Sequence, residues 1–153
     1  MITIPVFLDQ RIASPWPTDK VFAYLQNYPV AIASHFPGLE KLAADSRGIY
    51  QWEFQSVEMR GYQIKIAART SFKVLPPHLI QMESHALATE SELSGHWKLE
   101  PHGLNCSVHF AAQFNVKLPL SILLKPVASP ITNKEIKRLV ESYAQRLQKA
   151  LGG

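Results

Sequence analysis

The chain has 153 residues, of which 46% are hydrophobic and 18% are charged, and this composition excludes a disordered or charge-expanded protein. The formal net charge is +4, but acidic residues are interspersed with the basic ones, so we expect no nucleic-acid partner. The length fits one globular domain over residues 1–153. No segment approaches the roughly 20 uninterrupted apolar residues that cross a bilayer, and no basic run precedes an apolar one at the N-terminus.

The content of cysteine and histidine bears on metal binding and location. Cys106 is the only cysteine, so no intramolecular disulfide can form, which favours a reducing, cytoplasmic location. Its thiol has no basic neighbour in the sequence and is expected to be a small buried hydrophobe. The six histidines lack the close pair spacing and the accompanying cysteines of a zinc site. We therefore expect neither a metal site nor a cofactor.

The chain begins with a predicted strand and two predicted short helices. Ile2 to Ile12 alternates between apolar and polar residues, as a half-buried strand does. After the proline-containing stop at Ser14 to Pro17, Thr18 to Asn27 has the apolar spacing of a helix. A second helical turn is predicted from Pro29 to Ser34.

In the segment from Gly48 to Leu118, apolar and polar residues alternate, and this pattern predicts several strands. Tyr50 to Phe54 and Tyr62 to Val74 alternate clearly, and Arg60-Gly61 between them predicts a hairpin. Pro76-Pro77 ends the second of these strands, because proline lacks the amide that a strand ladder requires.

Three further strands follow along the chain. They are predicted from Leu79 to Leu87, with weaker alternation, from Leu93 to Leu99, and from Leu104 to Val116 after a turn at Pro101 to Gly103. Consecutive strands joined by short turns give an antiparallel meander, and strands of this length twist and curl. The apolar face of the sheet is therefore expected to be concave.

The C-terminal residues predict a long amphipathic helix. Thr132-x-x-Glu135 is a capping-box sequence that opens a helix reaching Leu151, and Gly152-Gly153 ends it. The apolar positions with helical spacing are Ile136, Leu139, Val140, Tyr143, Ala144, Leu147 and Leu151. The predicted fold class is α+β, with helices on one side of an antiparallel sheet.

This order of elements, together with the strings Val21 to Asn27 and His35 to Leu42, resembles the START-like (SRPBCC) superfamily. The Phe36-Pro37-Gly38 turn is similar to that of the G-type subunits of carbon monoxide dehydrogenase and of bacterial and plant members of unknown function. The resemblance implies a helix-grip fold, in which a curved antiparallel sheet wraps around a long C-terminal helix and encloses a cavity. It also implies relatives that bind lipids, sterols, polyketides or quinones, or that act on aromatic polyketides, but it transfers no catalytic residue.

The side chains expected to line that cavity are the aromatic and aliphatic residues of the inner face, with a few hydroxyls. They are Tyr50, Trp52, Phe54, Tyr62, Ile64, Ile66, Thr70, Phe72, Met82, Trp97, Cys106, Phe110, Phe114, Val140 and Tyr143. A filled core uses the same residue types, so the alternative of a closely packed interior stays open.

Alternation places most charged side chains of the strands on the outer face. These are Glu53, Lys65, Arg69, Lys73, His96, Lys98 and His109. Acid–base catalysis requires a titratable group that reaches the substrate, so we predict no catalytic residue. His35, His78 and Glu83 are expected to be surface or capping residues.

The segment from Leu118 to Ile131 is apolar and is interrupted by three prolines. Its functional interpretation is a lid over the cavity mouth or a loop that touches a membrane while a lipid enters, and the structural alternative is a packed connection with buried leucines. The last helix has a basic outer face that can contact anionic headgroups or be merely solvated. This face comprises Lys134, Lys137, Arg138, Arg146 and Lys149.

Three functions remain open at this point. The leading one is binding or transport of a hydrophobic small molecule, such as a lipid, a quinone or a polyketide-like compound, without catalysis. The second is a polyketide cyclase or aromatase-like enzyme in which Tyr50, Tyr62 or His78 moves protons. The third is an interaction module that recruits another protein through the outer sheet face or the Leu118 to Ile131 segment. The sequence indicates no oligomeric state.

Overall fold

The computed structural model of the protein describes residues 1–59 and 61–153. The strands in these ranges are β1 (Ile2–Ser14), β2 (Leu39–Ala44), β3 (Tyr50–Phe54), β4 (Val57–Met59), β5 (Tyr62–Ile64), β6 (Ala67–Leu75), β7 (Leu79–Ser84), β8 (Glu92–His102) and β9 (Asn105–Leu118). The helical elements are α1 (Thr18–Leu25), a π-helix (Pro29–Ala33), a 3₁₀ turn (Ile122–Leu124) and α2 (Lys125–Ala150).

Seven strands form one curved antiparallel sheet in the order β1-β9-β8-β7-β6-β3-β2. The longest ladder joins β1 to β9, from Ile2 opposite Leu118 to Ser14 opposite Cys106. Alternate residues of both strands are buried, which gives the sheet one apolar face. The predicted α+β helix-grip architecture is confirmed.

The helix α2 packs on the apolar face through one stripe of buried residues. The stripe comprises Ala128, Thr132, Ile136, Val140, Tyr143, Ala144 and Leu147. Its C-terminal end is held on the end of β1, because the Ser14 hydroxyl donates to the Leu151 carbonyl oxygen at 2.6 Å and the Ala13 amide donates to Gln148 Oε1 at 3.0 Å. No helix within the described ranges is long and apolar enough to span a membrane.

The start of α2 differs from the prediction. The helix begins at Lys125 and not at Thr132, so the predicted capping box lies inside the helix, and the Thr132 hydroxyl has no hydrogen-bond partner. Pro126 suits the first helical turn, where its missing amide is not required. Pro130 removes one amide donor from a helix of 26 residues, and the helix continues through it. Most of the segment predicted as a lid or connection is therefore helical.

The hairpin predicted from Tyr50 to Val74 is also different. The residues from Tyr62 to Val74 form two strands, β5 and β6, with a break between Ile64 and Ala67. β3 pairs with β6, whereas β4 and β5 form a separate two-stranded hairpin. The predicted turn at Arg60-Gly61 lies partly outside the described residues, because Arg60 is not among them.

Candidate ligand-binding site

Aromatic side chains fill the middle of the concave face and reach the helix α2. The ring of Trp97 on β8 lies 5.0 Å from that of Phe110 on β9, centroid to centroid, and the ring of Phe110 lies 5.8 Å from that of Tyr143 on α2. Such edge-to-face and tilted arrangements add stability beyond the burial of apolar area. The sheet and the helix therefore meet through packed rings.

The space that remains between these rings is a small void of about 20 Å³, about the volume that holds one water molecule. Eight residues predicted to line a cavity border it, namely Trp52, Phe54, Met82, Trp97, Phe110, Phe114, Val140 and Tyr143. The centre of the molecule is thus filled by its own side chains.

A much larger space lies beside this core, between α2 and the β4–β5 hairpin. This open groove has a volume of about 810 Å³. Its apolar wall comprises Phe54, Ile64, Ile66, Leu118, Ile131, Ile136 and Leu139, together with Val57 and Met59 of the hairpin. Its volume lies in the range of small-molecule sites.

Two side chains border both spaces. Phe54 at the end of β3 and Ile136 in α2 line both the small void and the groove. They form the partition between the groove and the aromatic core.

Charged side chains also line the groove. Arg138 donates to both carboxylate oxygens of Glu135, from Nη2 at 2.6 Å and from Nε at 3.2 Å. The hydrogen bond from Arg138 holds the pKa of Glu135 below its usual range, so this carboxylate stays ionised at neutral pH. Glu58 and Lys134 line the groove as well.

Two pairs of polar side chains in the core bond one another. Trp97 Nε1 donates to the Tyr143 hydroxyl at 3.1 Å, and Trp52 Nε1 donates to the Thr70 hydroxyl at 2.8 Å. Burial raises the pKa of Tyr143, so its hydroxyl stays protonated and is not a base near neutral pH. These hydrogen bonds satisfy the buried indole N–H donors and so stabilise the fold.

Seven of the fifteen predicted cavity residues do not line the small void, and two of these, Ile64 and Ile66, line the groove. Tyr50 and Phe72 pack against Tyr28, with ring centroids 5.4 and 4.0 Å from it. The remaining three are Thr70, Cys106 and Tyr62.

Cys106 is buried beside Ser14 at the far end of β9, and burial raises the pKa of its thiol. Tyr62 is 54% exposed, so its predicted inward orientation is wrong. The reason is that Tyr62 belongs to the separate β4–β5 hairpin, whose faces do not continue those of the main sheet.

The titratable side chains considered as catalysts lie outside both spaces. His35 Nε2 is 2.7 Å from the Tyr24 hydroxyl, and burial followed by the charge of Arg146 lowers the pKa of His35. His78 lines neither the void nor the groove, although its Nδ1 atom is buried without a partner. None of these candidates lines the groove, and the charged side chains that do line it are Glu58, Lys134, Glu135 and Arg138.

Charged side chains on the outer sheet face pair with one another. Arg69 Nε donates to both carboxylate oxygens of Glu90 at 3.0 Å, and His109 lies 3.0 Å from Asp9. In residues 1–59 and 61–153, no group of three or more histidine, cysteine or acidic residues is placed to hold a metal ion.

Comparison with known proteins identifies the class of fold. No protein-family model matches the sequence, and no curated protein matches it either. Among solved structures, the Zhui aromatase/cyclase from Streptomyces sp. R1128 is similar with a TM-score of 0.64 at 13% identity, over 97% of this chain and 94% of that one. A START superfamily protein from Mycobacterium smegmatis is similar with a TM-score of 0.60 at 14% identity, over 95% and 97% of the two chains.

A third similar structure is that of norcoclaurine synthase from Thalictrum flavum, with a TM-score of 0.60 at 13% identity over 99% of this chain and 96% of that one. The chain therefore has the START-like (SRPBCC) fold that its sequence predicts. At these identities the likeness establishes the fold alone. The finer resemblance to the G-type subunits of carbon monoxide dehydrogenase stays a prediction.

Proposed function

We propose that this protein binds and carries a hydrophobic small molecule in the groove between α2 and the β4–β5 hairpin. The observation that carries the proposal is the open volume of about 810 Å³ with an apolar wall. Burial of apolar ligand surface supplies the affinity. The ligand class is that of a lipid, a quinone or a polyketide-like compound, and a cytoplasmic location belongs to the same proposal.

Native mass spectrometry of the protein as purified tests this proposal. We expect a discrete additional mass that is lost on denaturation and that organic extraction recovers as an apolar compound. A clean mass of the chain alone, combined with no binding of an uncharged apolar fluorescent probe, would contradict the proposal.

The alternative is a polyketide cyclase or aromatase-like enzyme. It is favoured by the fold shared with the Zhui aromatase/cyclase. Against it stands the ion pair of Glu135 with Arg138, because a carboxylate held by a guanidinium is a weak proton acceptor. Turnover of an aromatic polyketide that is lost in Glu58→Gln or Glu135→Gln, with binding retained, would favour the enzyme over the carrier.

A transient contact with a membrane surface is a further part of the proposal. Ile122 and Leu123 in the 3₁₀ turn are 74% and 84% exposed, and no acidic residue occurs from Leu118 to Lys134. Lys125 directly follows the turn. Exposed apolar side chains beside lysines fit an anionic lipid surface, with about 1 kcal/mol gained per lysine near it.

This apolar turn adjoins the groove. Met59 and Tyr62 of the β4–β5 hairpin line one small crevice with Leu120 and Leu124, and Met59 also lines the groove. A membrane held at the turn would therefore lie next to the groove mouth, where an apolar ligand can pass between them.

The membrane contact has a matched pair of variants. In Leu123→Glu we expect the fraction that floats with phosphatidylserine-containing vesicles to fall by about tenfold, because a charge enters the contact. Leu104→Glu makes the same change at a residue that is 87% exposed, in the turn at the opposite end of β9, and should float like the unchanged protein. Equal flotation of both variants, or no flotation of the unchanged protein, would contradict the contact.

A further inference from the structure

The basic residues predicted for the outer face of α2 divide into two groups in the structure. Lys134 and Arg138 line the groove between α2 and the β4–β5 hairpin. The three that do not line it are Lys137, Arg146 and Lys149. Because residues four apart are neighbours on one face of a helix, two cations stand one above the other beside the groove.

Of these two cations, only Arg138 is paired with an acid. It donates to both carboxylate oxygens of Glu135, so these two charges neutralise each other. No carboxylate lies within 4.0 Å of the Lys134 ammonium group in residues 1–59 and 61–153, which include all 12 acidic residues of the chain. Lys134 is exposed, so a molecule that enters the groove can reach its ammonium group.

The sequence around Lys134 explains why it is unpaired. An acidic residue three or four positions away on the helix would pair with it. The residues at these positions are Pro130, Ile131, Lys137 and Arg138, and none of them is acidic. Like charges at this spacing destabilise a helix, so an anion bound at Lys134 relieves a repulsion that the chain itself leaves in place.

Apolar side chains lie on both sides of Lys134 along the groove wall. Ile131 precedes it by about one turn, Leu139 follows it by more than one turn, and both line the groove. A ligand with an anionic group at Lys134 therefore has apolar wall beside the rest of its surface. Glu58, on the hairpin side of the groove, repels a second anionic group, so the ligand carries only one.

From these observations we propose that Lys134 binds a single anionic group, a carboxylate or a phosphate, on an otherwise apolar ligand. This inference rests on the proposed function and narrows its ligand class to amphiphiles with one acidic head. The ion pair orients the ligand in the groove, and the apolar wall supplies most of the affinity.

The test uses two fluorescent probes with the same ring system. 8-Anilino-1-naphthalenesulfonate is N-phenyl-1-naphthylamine with one added sulfonate, which stands for the acidic head of the ligand. Dissociation constants are measured by fluorescence titration at constant ionic strength on the unchanged protein, Lys134→Met, Lys134→Arg and Lys137→Met. We expect Lys134→Met to bind the sulfonate about fivefold more weakly, as one ion pair in contact with solvent allows, and to bind the uncharged probe as before.

Two variants separate the local contact from the overall charge. Lys137→Met removes the same charge from an exposed position of α2 outside the groove, and it should bind the sulfonate like the unchanged protein. Lys134→Arg keeps the charge and should keep the affinity. Equal sulfonate affinity in Lys134→Met and Lys137→Met, or equal weakening of both probes in Lys134→Met, would overturn the role of Lys134 and leave the groove as a binding site. Binding of neither probe to the unchanged protein would overturn the proposed function together with it.

A competition experiment distinguishes an amphiphile from a free anion. Laurate, which joins a carboxylate to an apolar chain, should displace the sulfonate probe from the unchanged protein, and inorganic phosphate at the same concentration should not. Displacement by inorganic phosphate, or none by laurate, would contradict the proposed ligand class.

Discussion

Two tryptophans placed in the groove wall, Ile131→Trp combined with Leu139→Trp, are expected to weaken binding of the uncharged probe N-phenyl-1-naphthylamine by at least about tenfold. Both residues line the groove and lie about two helical turns apart on α2. Ile131 is 45% exposed and Leu139 is half-buried, so both added indole rings have the open groove beside them. The measurement is a fluorescence titration of the probe.

The matched control carries two tryptophans on the same helix outside the groove. Lys137→Trp combined with Glu141→Trp alters two exposed positions and leaves the net charge unchanged. Its probe affinity should equal that of the unchanged protein. If the groove variant binds as tightly as the control, the groove does not hold the probe.

The second large effect concerns the stability of the fold. Gly95 on β8 lies opposite Ala112 on β9 in the middle of the sheet. A Cβ atom at position 95 would overlap the carbonyl oxygen of Ala111 and would lie 2.7 Å from both Cα and Cβ of Ala112. Because backbone atoms cannot move aside as a flexible side chain does, we expect Gly95→Ala to lower the free energy of unfolding by about 3 kcal/mol or more.

Such a loss is a large fraction of the stability of a typical domain, about 5 to 15 kcal/mol. Gly48→Ala is the control for backbone strain, since Gly48 has a positive φ of 78° and nothing within 4 Å of the added Cβ atom. It should cost only about 1 to 2 kcal/mol. Urea titrations of both variants measure their free energies of unfolding. If Gly95→Ala is as stable as Gly48→Ala, the expected clash is absent and the β8–β9 ladder can open at this point.

Much of the sheet could be predicted from the sequence because alternation reports which residues face the core. It predicted β1, β3, β8 and β9 to within a few residues. It failed where strands change partner, since Ile64, Ile66 and Ala68 continue one alternation although a break separates β5 from β6. Which strand pairs with which is a tertiary property that local periodicity does not contain.

The edge strand β2 was not predicted for a related reason. Its residues, from Leu39 to Ala44, are partly or largely exposed and show no alternation of buried and exposed positions. An edge strand with one neighbour and little burial leaves a weak periodic signal. Pairing with β3 holds it in the sheet.

The groove could not be predicted from the sequence, for geometric reasons. Its volume arises because the β4–β5 hairpin leaves the main sheet and stands beside α2, and neither feature is encoded in a local pattern. Thr132 illustrates the ambiguity, because a threonine three residues before a glutamate fits a helix start as well as it fits a helix interior. Tyr62 illustrates a different error. Its inward orientation was predicted from the alternation of the following residues, although Tyr62 belongs to a different sheet.

The measurement that tests the binding groove most directly is a methyl NMR titration with N-phenyl-1-naphthylamine on protein labelled at isoleucine, leucine and valine. We predict that the methyl signals of Ile64, Ile66, Leu118 and Ile131 shift on addition of the probe. The methyls of Ile12, which is buried at the far end of β1, should stay in place. Binding of the probe without any shift of the groove methyls would contradict the assignment of the groove as the binding site.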